Sequence, residues 1–314
     1  MRAGEGRPPG TIWIVTDGSV GMEAQRHCRG RSHTLAAGAA ANLPLPLARL
    51  LGSVANEPLG VPWPRLIISI GRRSVPIALA IKRSANAFAL HIQNPKVPVH
   101  HFNLIAAPLH DGFSGDNVLN TFGAVHSVTR VRLAEAAKRF ASRIQALPGP
   151  RLAVLMGGES QASSFPPKDA TAFGASLARV ARDSGGSLLV TPSRRISPEA
   201  PRALSAAIAG VPHLVWDGLG ENPYFAFLAM ADAIVSTEDS VNMVTEAAGT
   251  GKPVYVQSLK GKSRRLKRFH ALMRERGATR PFEGQLEFWS YTPINDTELV
   301  ASAIRRALDL ESPG

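Results

Sequence analysis

Short apolar runs rich in β-branched residues return along the whole chain, and nearly every one opens into a turn and then a helix-compatible stretch. The runs fall at 12–16, 66–70, 87–93, 102–106, 152–156, 187–191, 213–216, 231–236 and 253–256. They show little of the period-two alternation of a half-exposed strand. Parallel strands covered by helices on both faces lose that alternation and read as continuous apolar segments. Strands of this kind interleaved with helices imply an α/β chain with parallel sheets. A length of 314 residues is long for one core and comfortable for two.

Pro148-Gly149-Pro150 interrupts the pattern and is the expected domain boundary. Residues 1–10 then form a polar tail without the apolar core of a signal segment. Residues 11–148 and 149–314 form two Rossmann-like domains facing across a cleft, the second ending in a helix near 297–310. A helix is also expected over 22–41, after the first strand, and over 132–147. The single cysteine, Cys28, excludes an intrachain disulfide framework and any cysteine-rich metal site. No apolar stretch approaches the roughly 20 residues of a membrane-spanning helix. The expectation is a cytoplasmic protein, soluble or peripheral on the inner face of a membrane.

In open parallel sheets, ligands sit outside the carboxyl ends of the strands. Asp17, Arg72 and the pair His110-Asp111 stand at such ends in the first half and could line one cleft. A His-Asp pair serves equally well as a hydrogen-bonded loop, and Gly71-Arg72-Arg73-Ser74 as a solvated turn. The spacing Gly18-x-x-Gly21 is not a dinucleotide fingerprint, so no nicotinamide site is read from it.

The stretch 237–254 carries the densest signal. It follows the apolar run 231–236, and Asp239 and Ser240 are expected to cap a helix whose first amides form an anion site. Glu246 lies six residues past Ser240, and the helix stops at Gly249 and Gly251 with Pro253 just beyond. An acid on a strand–turn–helix unit beside a phosphate-sized hole points to a nucleotide sugar; an ordinary βα unit would look the same.

Net charge is +12, from 36 Lys+Arg against 24 Asp+Glu, and favours anionic neighbours. Nine of the cations lie between Lys260 and Arg280. Aromatic residues are sparse there, which disfavours base stacking and therefore nucleic acid. The cluster reads as a solvated helix face or as a patch for an anionic membrane surface.

Blocks spread over the chain carry a resemblance. They are Trp13-Ile14-Val15-Thr16-Asp17-Gly18, Gly71-Arg72-Arg73-Ser74, Pro108-Leu109-His110-Asp111, Thr191-Pro192-Ser193-Arg194-Arg195, Glu221-Asn222-Pro223-Tyr224 and the run from Thr237 to Ala247. Together they resemble the "elongated mitochondria", or mitochondrial-fission, family of bacteria and plants, from about Trp13 to the C-terminal helix. The second half is also similar to the nucleotide-sugar domain of GT-B glycosyltransferases of the peptidoglycan GlcNAc transferase type. That likeness implies that Gly157 and Gly158 face the phosphates and that Asp239, Ser240, Val241 and Met243 begin a diphosphate-binding helix. It further implies that Glu246 takes the ribose hydroxyls, that Trp216 borders the base, and that Asn222 lines the same site. Arg194 and Arg195, with Ser193 beside them in the same site, would neutralise the departing diphosphate, replacing a metal ion.

No Asp-x-Asp metal motif occurs, so neither a metal nor a further cofactor is expected. The expected donor is a UDP-linked sugar and the expected activity metal-independent transfer to an acceptor, lipid-linked in one version. The first turn lacks the glycine-rich loop and histidine of the GlcNAc transferase, so the acceptor is not carried over. His110, Asp111 and then Asp17 are the candidate bases on chemistry. Two rivals stand beside this reading: a non-catalytic GT-B scaffold acting at membranes, and a sugar-nucleotide epimerase.

Overall fold

The computed structural model describes residues 12–16, 31–34, 63–157, 163–193, 196–261 and 263–308, with backbone alone for 31–34 and Ser163. Two compact units divide the chain: Met1–Thr121, Val125–Ser127 and Asp296–Gly314 in the first, Phe122–Ala124 and Val128–Asn295 in the second.

Unit 1 contains β1 (Ile12–Thr16), β2 (Arg31–Thr34), β3 (Leu66–Ile70), α1 (Val75–Ala85), β4 (Phe88–Ile92), β5 (Leu104–Pro108) and β6 (Val118–Thr121). Its sheet has the order β2-β1-β3-β4-β5-β6, and every pairing is parallel. All five residues of β3 are buried, because successive side chains point to opposite faces and both faces are covered. Trp13, Val15 and Ile67 pack toward Ile77, Ala78 and Ile81 of α1. Ile14, Ile68 and Leu90 pack with Val300 and Ile304 of the C-terminal helix Asp296–Ala307. Helix α1 has proline in its first turn, where a missing N–H is tolerated, and ends at Asn86 in the left-handed region, φ 47°.

Residues 31–34 run parallel to β1 as a strand, inside the span 22–41 expected to be helical. Arg31-Ser32-His33-Thr34 lies at the end of the strand order and lacks the apolar run that marks a buried strand. Strand β6 escaped for the same reason: it too closes one end of the order and three of its four residues are only part-buried.

Unit 2 contains α2 (Arg130–Ile144), β7 (Arg151–Met156), β8 (Ser163–Ser164), α3 (Pro167–Ser184), β9 (Ser187–Pro192), α4 (Glu199–Ile208), β10 (His213–Val215) and α5 (Tyr224–Met230). It continues with β11 (Ala233–Thr237), α6 (Val241–Ala248), β12 (Val254–Gln257), β13 (Lys260–Gly261), α7 (Arg264–Glu275) and β14 (Thr279–Pro281). The chain returns to unit 1 with α8, the helix Asp296–Ala307. The main sheet has the order β10-β9-β7-β11-β12-β14, all parallel, while β8 and β13 form a separate antiparallel pair. On one face Leu152, Val154 and Met156 pack with Phe173 and Leu177 of α3 and Leu204 of α4. On the other, Ala153 and Leu155 pack with Phe140 of α2, Phe227 of α5 and Ala247 of α6.

The units therefore do not part at Pro148–Pro150. Ala136, Phe140 and Ile144 of α2 bury in the core of the following sheet, so that helix belongs to unit 2. Helix α8 belongs to unit 1, where Val300 is buried. A Pro-Gly-Pro turn marks where a chain bends, but the apolar face of an amphipathic helix decides which core it joins. Among the described residues no helix is long and apolar enough to cross a membrane.

Candidate nucleotide site

The order of the unit 2 sheet reverses between β7 and β11: the chain leaves β7 toward β9 and leaves β11 toward β12. Connections diverge at such a point and open a crevice outside the carboxyl ends of the two strands. Gly157 follows β7 and the turn Glu238–Ser240 follows β11, so both sit there.

The two strand ends are tied together. The Gly157 N–H donates to Thr237 Oγ1 at 2.7 Å, and the Thr237 hydroxyl donates to Asp239 Oδ1 at 2.6 Å. A Cβ added at Gly157 would lie 2.0 Å from Asp239 Oδ1, a distance no real carbon occupies. A side chain at 157 would have to displace the Asp239 carboxylate; the GT-B resemblance gives the same glycine a place facing the phosphates. Ser240 has the extended backbone of a helix N-cap, and its Oγ accepts the Met243 N–H at 3.3 Å. Val241 and Met243 are part-buried in the first turn. Helix N-termini stabilise negative charge through their amides and dipole. The Asp239 carboxylate already stands beside that end, so any anion entering must compete with it.

Further along α6, Glu246 is only 6% exposed. Its Oε2 accepts the Tyr224 hydroxyl at 2.6 Å. Burial pushes the Glu246 carboxyl up to about 7, while the Tyr224 hydrogen bond and the Arg132 guanidinium pull the other way. Tyr224 is raised well above the ordinary phenol value by burial and then by the Glu246 charge. Arg132, held down by burial and supported by Glu246, lies over the Phe225 ring at 3.8 Å. Thr129 caps the first turn of α2 and so fixes Arg132, whose own N–H it accepts at 3.1 Å. The outcome is a nearly dry carboxyl group poised between its two protonation states near neutrality. Ionised, it accepts two hydroxyl hydrogen bonds well.

The other expected site residues have local roles. Ser193 N–H donates to Met156 O at 2.7 Å, holding the end of β9 against that of β7. The Trp216 indole donates to Leu219 O at 3.0 Å and is part-buried. Asn222 Oδ1 accepts the Tyr224 N–H at 2.9 Å and so starts α5. In unit 1, His110 and Asp111 sit in one turn directly after β5, 3.6 Å apart, with the histidine ring fully buried. Asp17, Gly158, Arg194 and Arg195 lie outside the described residues.

Tyr224, Arg132 and Thr237 were not among the expected site residues. Thr237 could have been found from its place at the last position of a strand. Tyr224 and Arg132 reach Glu246 from other helices, and no local pattern signals that meeting.

The basic cluster is organised on α7. Ser263 caps the helix by accepting the Leu266 N–H at 3.2 Å, and Phe269, His270 and Met273 face the core. Arg264, Arg265, Lys267 and Arg268 are exposed in its first turns. Lys260 pairs with Asp169 at 3.0 Å, and Arg280 pairs with Glu287. Lys262 lies outside the described residues.

Comparison with solved structures places this architecture among GT-B-like folds. A Listeria monocytogenes structure assigned as a UDP-N-acetylglucosamine 2-epimerase superposes with a TM-score of 0.50 at 13% identity, covering 96% of this chain and 89% of that one. Among curated proteins, an uncharacterized Rickettsia prowazekii protein is 27% identical over 291 residues, 79% of this chain and 80% of its own length. The Mitochondrial fission protein ELM1 of Arabidopsis thaliana is 32% identical over 281 residues, 78% of this chain and 64% of the plant protein. The chain thus spans under two thirds of that plant relative. The sequence profile described as Mitochondrial fission ELM1 matches residues 19–308, and the chain belongs to that family.

Proposed function

We propose that unit 2 binds a nucleoside diphosphate sugar, UDP-linked, and that the protein is a metal-independent glycosyltransferase. One observation carries this reading. A buried carboxyl near neutral pKa, Glu246, lies on a helix whose capped N-terminus opens at the switch point of a doubly wound sheet. Glu246 takes the ribose hydroxyls, and the start of α6 from Ser240 to Met243 takes the diphosphate. Trp216 and Asn222 border the base, and Gly158, Ser193, Arg194 and Arg195 complete the anion-binding edge. The shared fold of the Listeria structure, which bears the name of a nucleotide-sugar enzyme, supports the ligand class. The attacking hydroxyl of the acceptor needs a base, and His110, Asp111 and Asp17 are the candidates on chemistry.

A thermal-shift screen of UDP-, GDP- and ADP-sugars tests the reading, because a ligand bound only to the folded chain stabilises it by mass action. At a ligand concentration of about 100 Kd the gain is about 2.7 kcal/mol. The expected result is a rise with one nucleotide class in the wild type and a clearly smaller one in Glu246→Ala. No rise with any nucleotide overturns the reading.

A second reading concerns location. The exposed cations Arg264, Arg265, Lys267 and Arg268 stand at the N-terminal end of α7, where the helix dipole disfavours positive charge. That arrangement costs local stability and is explained by an anionic membrane surface as partner. Charge reversal at these four positions should abolish sedimentation with anionic vesicles; unchanged sedimentation sinks the idea.

A further inference from the structure

A second concave surface lies in unit 1, at the opposite ends of the strands from those that carry ligand sites in sheets of this type. A cavity of about 310 Å³ opens between the C-terminal end of α1 and the turn Val99–His101 that precedes β5. Its lining is Leu79, Lys82, Arg83, Asn86, His100 and His101. Four of these six side chains are basic and none is a carboxylate.

The walls are fixed by backbone chemistry. Lys82 Nζ donates to His101 O at 2.7 Å, tying helix to turn. Asn117 Nδ2 donates to Val99 O and to Phe102 O, both at 2.8 Å, and Phe102 is buried beneath the turn. Asn103 Oδ1 accepts the Ala89 N–H at 3.0 Å, so the same segment is pinned to β4. The His100 and His101 rings stand 4.3 Å apart by their centroids. Cations at a helix C-terminus are ordinary, since they complement the dipole. Two histidines brought onto the same cations from a separate turn are not explained by that.

The groups also work against one another. His101 is held below the usual histidine range by burial and then by His100, Arg83 and Lys82. Lys82 is lowered by burial and then by Arg83. An anion in the cavity would relieve that repulsion.

We propose that this cavity is a binding site for the phosphate group of a phosphomonoester, held by Lys82, Arg83, His100 and His101. A compact ammonium, a guanidinium fork and two imidazoles together match a tetrahedral dianion. The volume exceeds that of phosphate alone and leaves room for a small organic remainder. The site stands independently of the nucleotide reading for unit 2.

The test uses the full chain and follows the ring signals of His100 and His101 by NMR. The probes are inorganic phosphate, glycerol 3-phosphate and phosphatidylcholine vesicles containing phosphatidic acid, each against chloride at equal ionic strength. Saturable movement of both rings is expected. Arg83→Gln combined with His100→Gln, both exposed positions, should weaken binding about tenfold, the scale of one charge-assisted bond, as read on the His101 ring. Preference for glycerol 3-phosphate assigns a soluble ligand, and response to phosphatidic acid vesicles alone assigns a lipid headgroup; either supports the site. Shifts no larger than with chloride, or equal affinity in the double variant, overturn it. The same titration of Glu246→Ala, which leaves Lys82, Arg83, His100 and His101 in place, separates this site from the one proposed at α6: the ring movement should persist there.

Discussion

Burying a carboxyl group is unfavourable unless it is protonated or paired, and Glu246 is partly both. With its folded pKa raised from 4.5 to about 7, the folded chain holds a proton that the unfolded chain has released. The sign of the pH dependence follows. This group's favourable contribution is complete below about pH 4.5 and is lost as pH rises through about 7, by roughly 3 kcal/mol in all. Glu246→Gln keeps an acceptor for the Tyr224 hydroxyl but cannot ionise. Denaturant unfolding at pH 5 and pH 8 should therefore show wild type losing stability relative to that variant as pH rises. Parallel profiles would remove the raised pKa from the account. Tyr224→Phe takes away a hydrogen bond that favours the ionised form, so it should raise the Glu246 pKa further, as a carboxyl NMR titration would report. The candidate acid was legible in the sequence because Glu246 stands six residues past a capping serine. Tyr224 and Arg132 were not, since side chains on other helices meet it only after folding.

At the scale of elements, the site depends on a turn whose parts fit one way. Gly157 admits the Asp239 carboxylate, Thr237 bonds both, and Ser240 begins α6. Gly157→Ala puts a methyl group onto that carboxylate and should cost about 1–3 kcal/mol by overpacking, measured by urea unfolding. Asp239→Asn separates the two roles of this corner. It keeps an acceptor for Thr237 and removes a negative charge from the helix N-terminus, so nucleoside diphosphate should bind more tightly, checked by calorimetry. Ser240→Ala should cost about 1 kcal/mol through loss of the cap. Strands with unbroken apolar runs, such as Leu152 to Met156, announced themselves because both faces are buried. Some strands at the sheet ends did not, although β10 did through its run 213–216: Arg31–Thr34 and Thr279–Pro281 are short and carry polar residues.

For the whole molecule, two parallel sheets with covering helices were readable from alternation alone, and the division of the chain was not. Helix α2 precedes the Pro-Gly-Pro turn yet packs Phe140 into the second core, and α8 packs Val300 into the first. Which core a helix joins depends on shape complementarity across long sequence separations, which no turn residue records. The family, Mitochondrial fission ELM1, names no reaction, so the proposed function rests on the chemistry of unit 2. Titration calorimetry of the full chain with UDP, UDP-sugars and their GDP and ADP counterparts, in wild type and Glu246→Ala, addresses it directly. The account predicts saturable binding of one nucleotide class by wild type and a loss of about tenfold or more in the variant, as expected for one charge-assisted hydrogen bond. Equal affinity in the two proteins, or no binding by wild type, would contradict it.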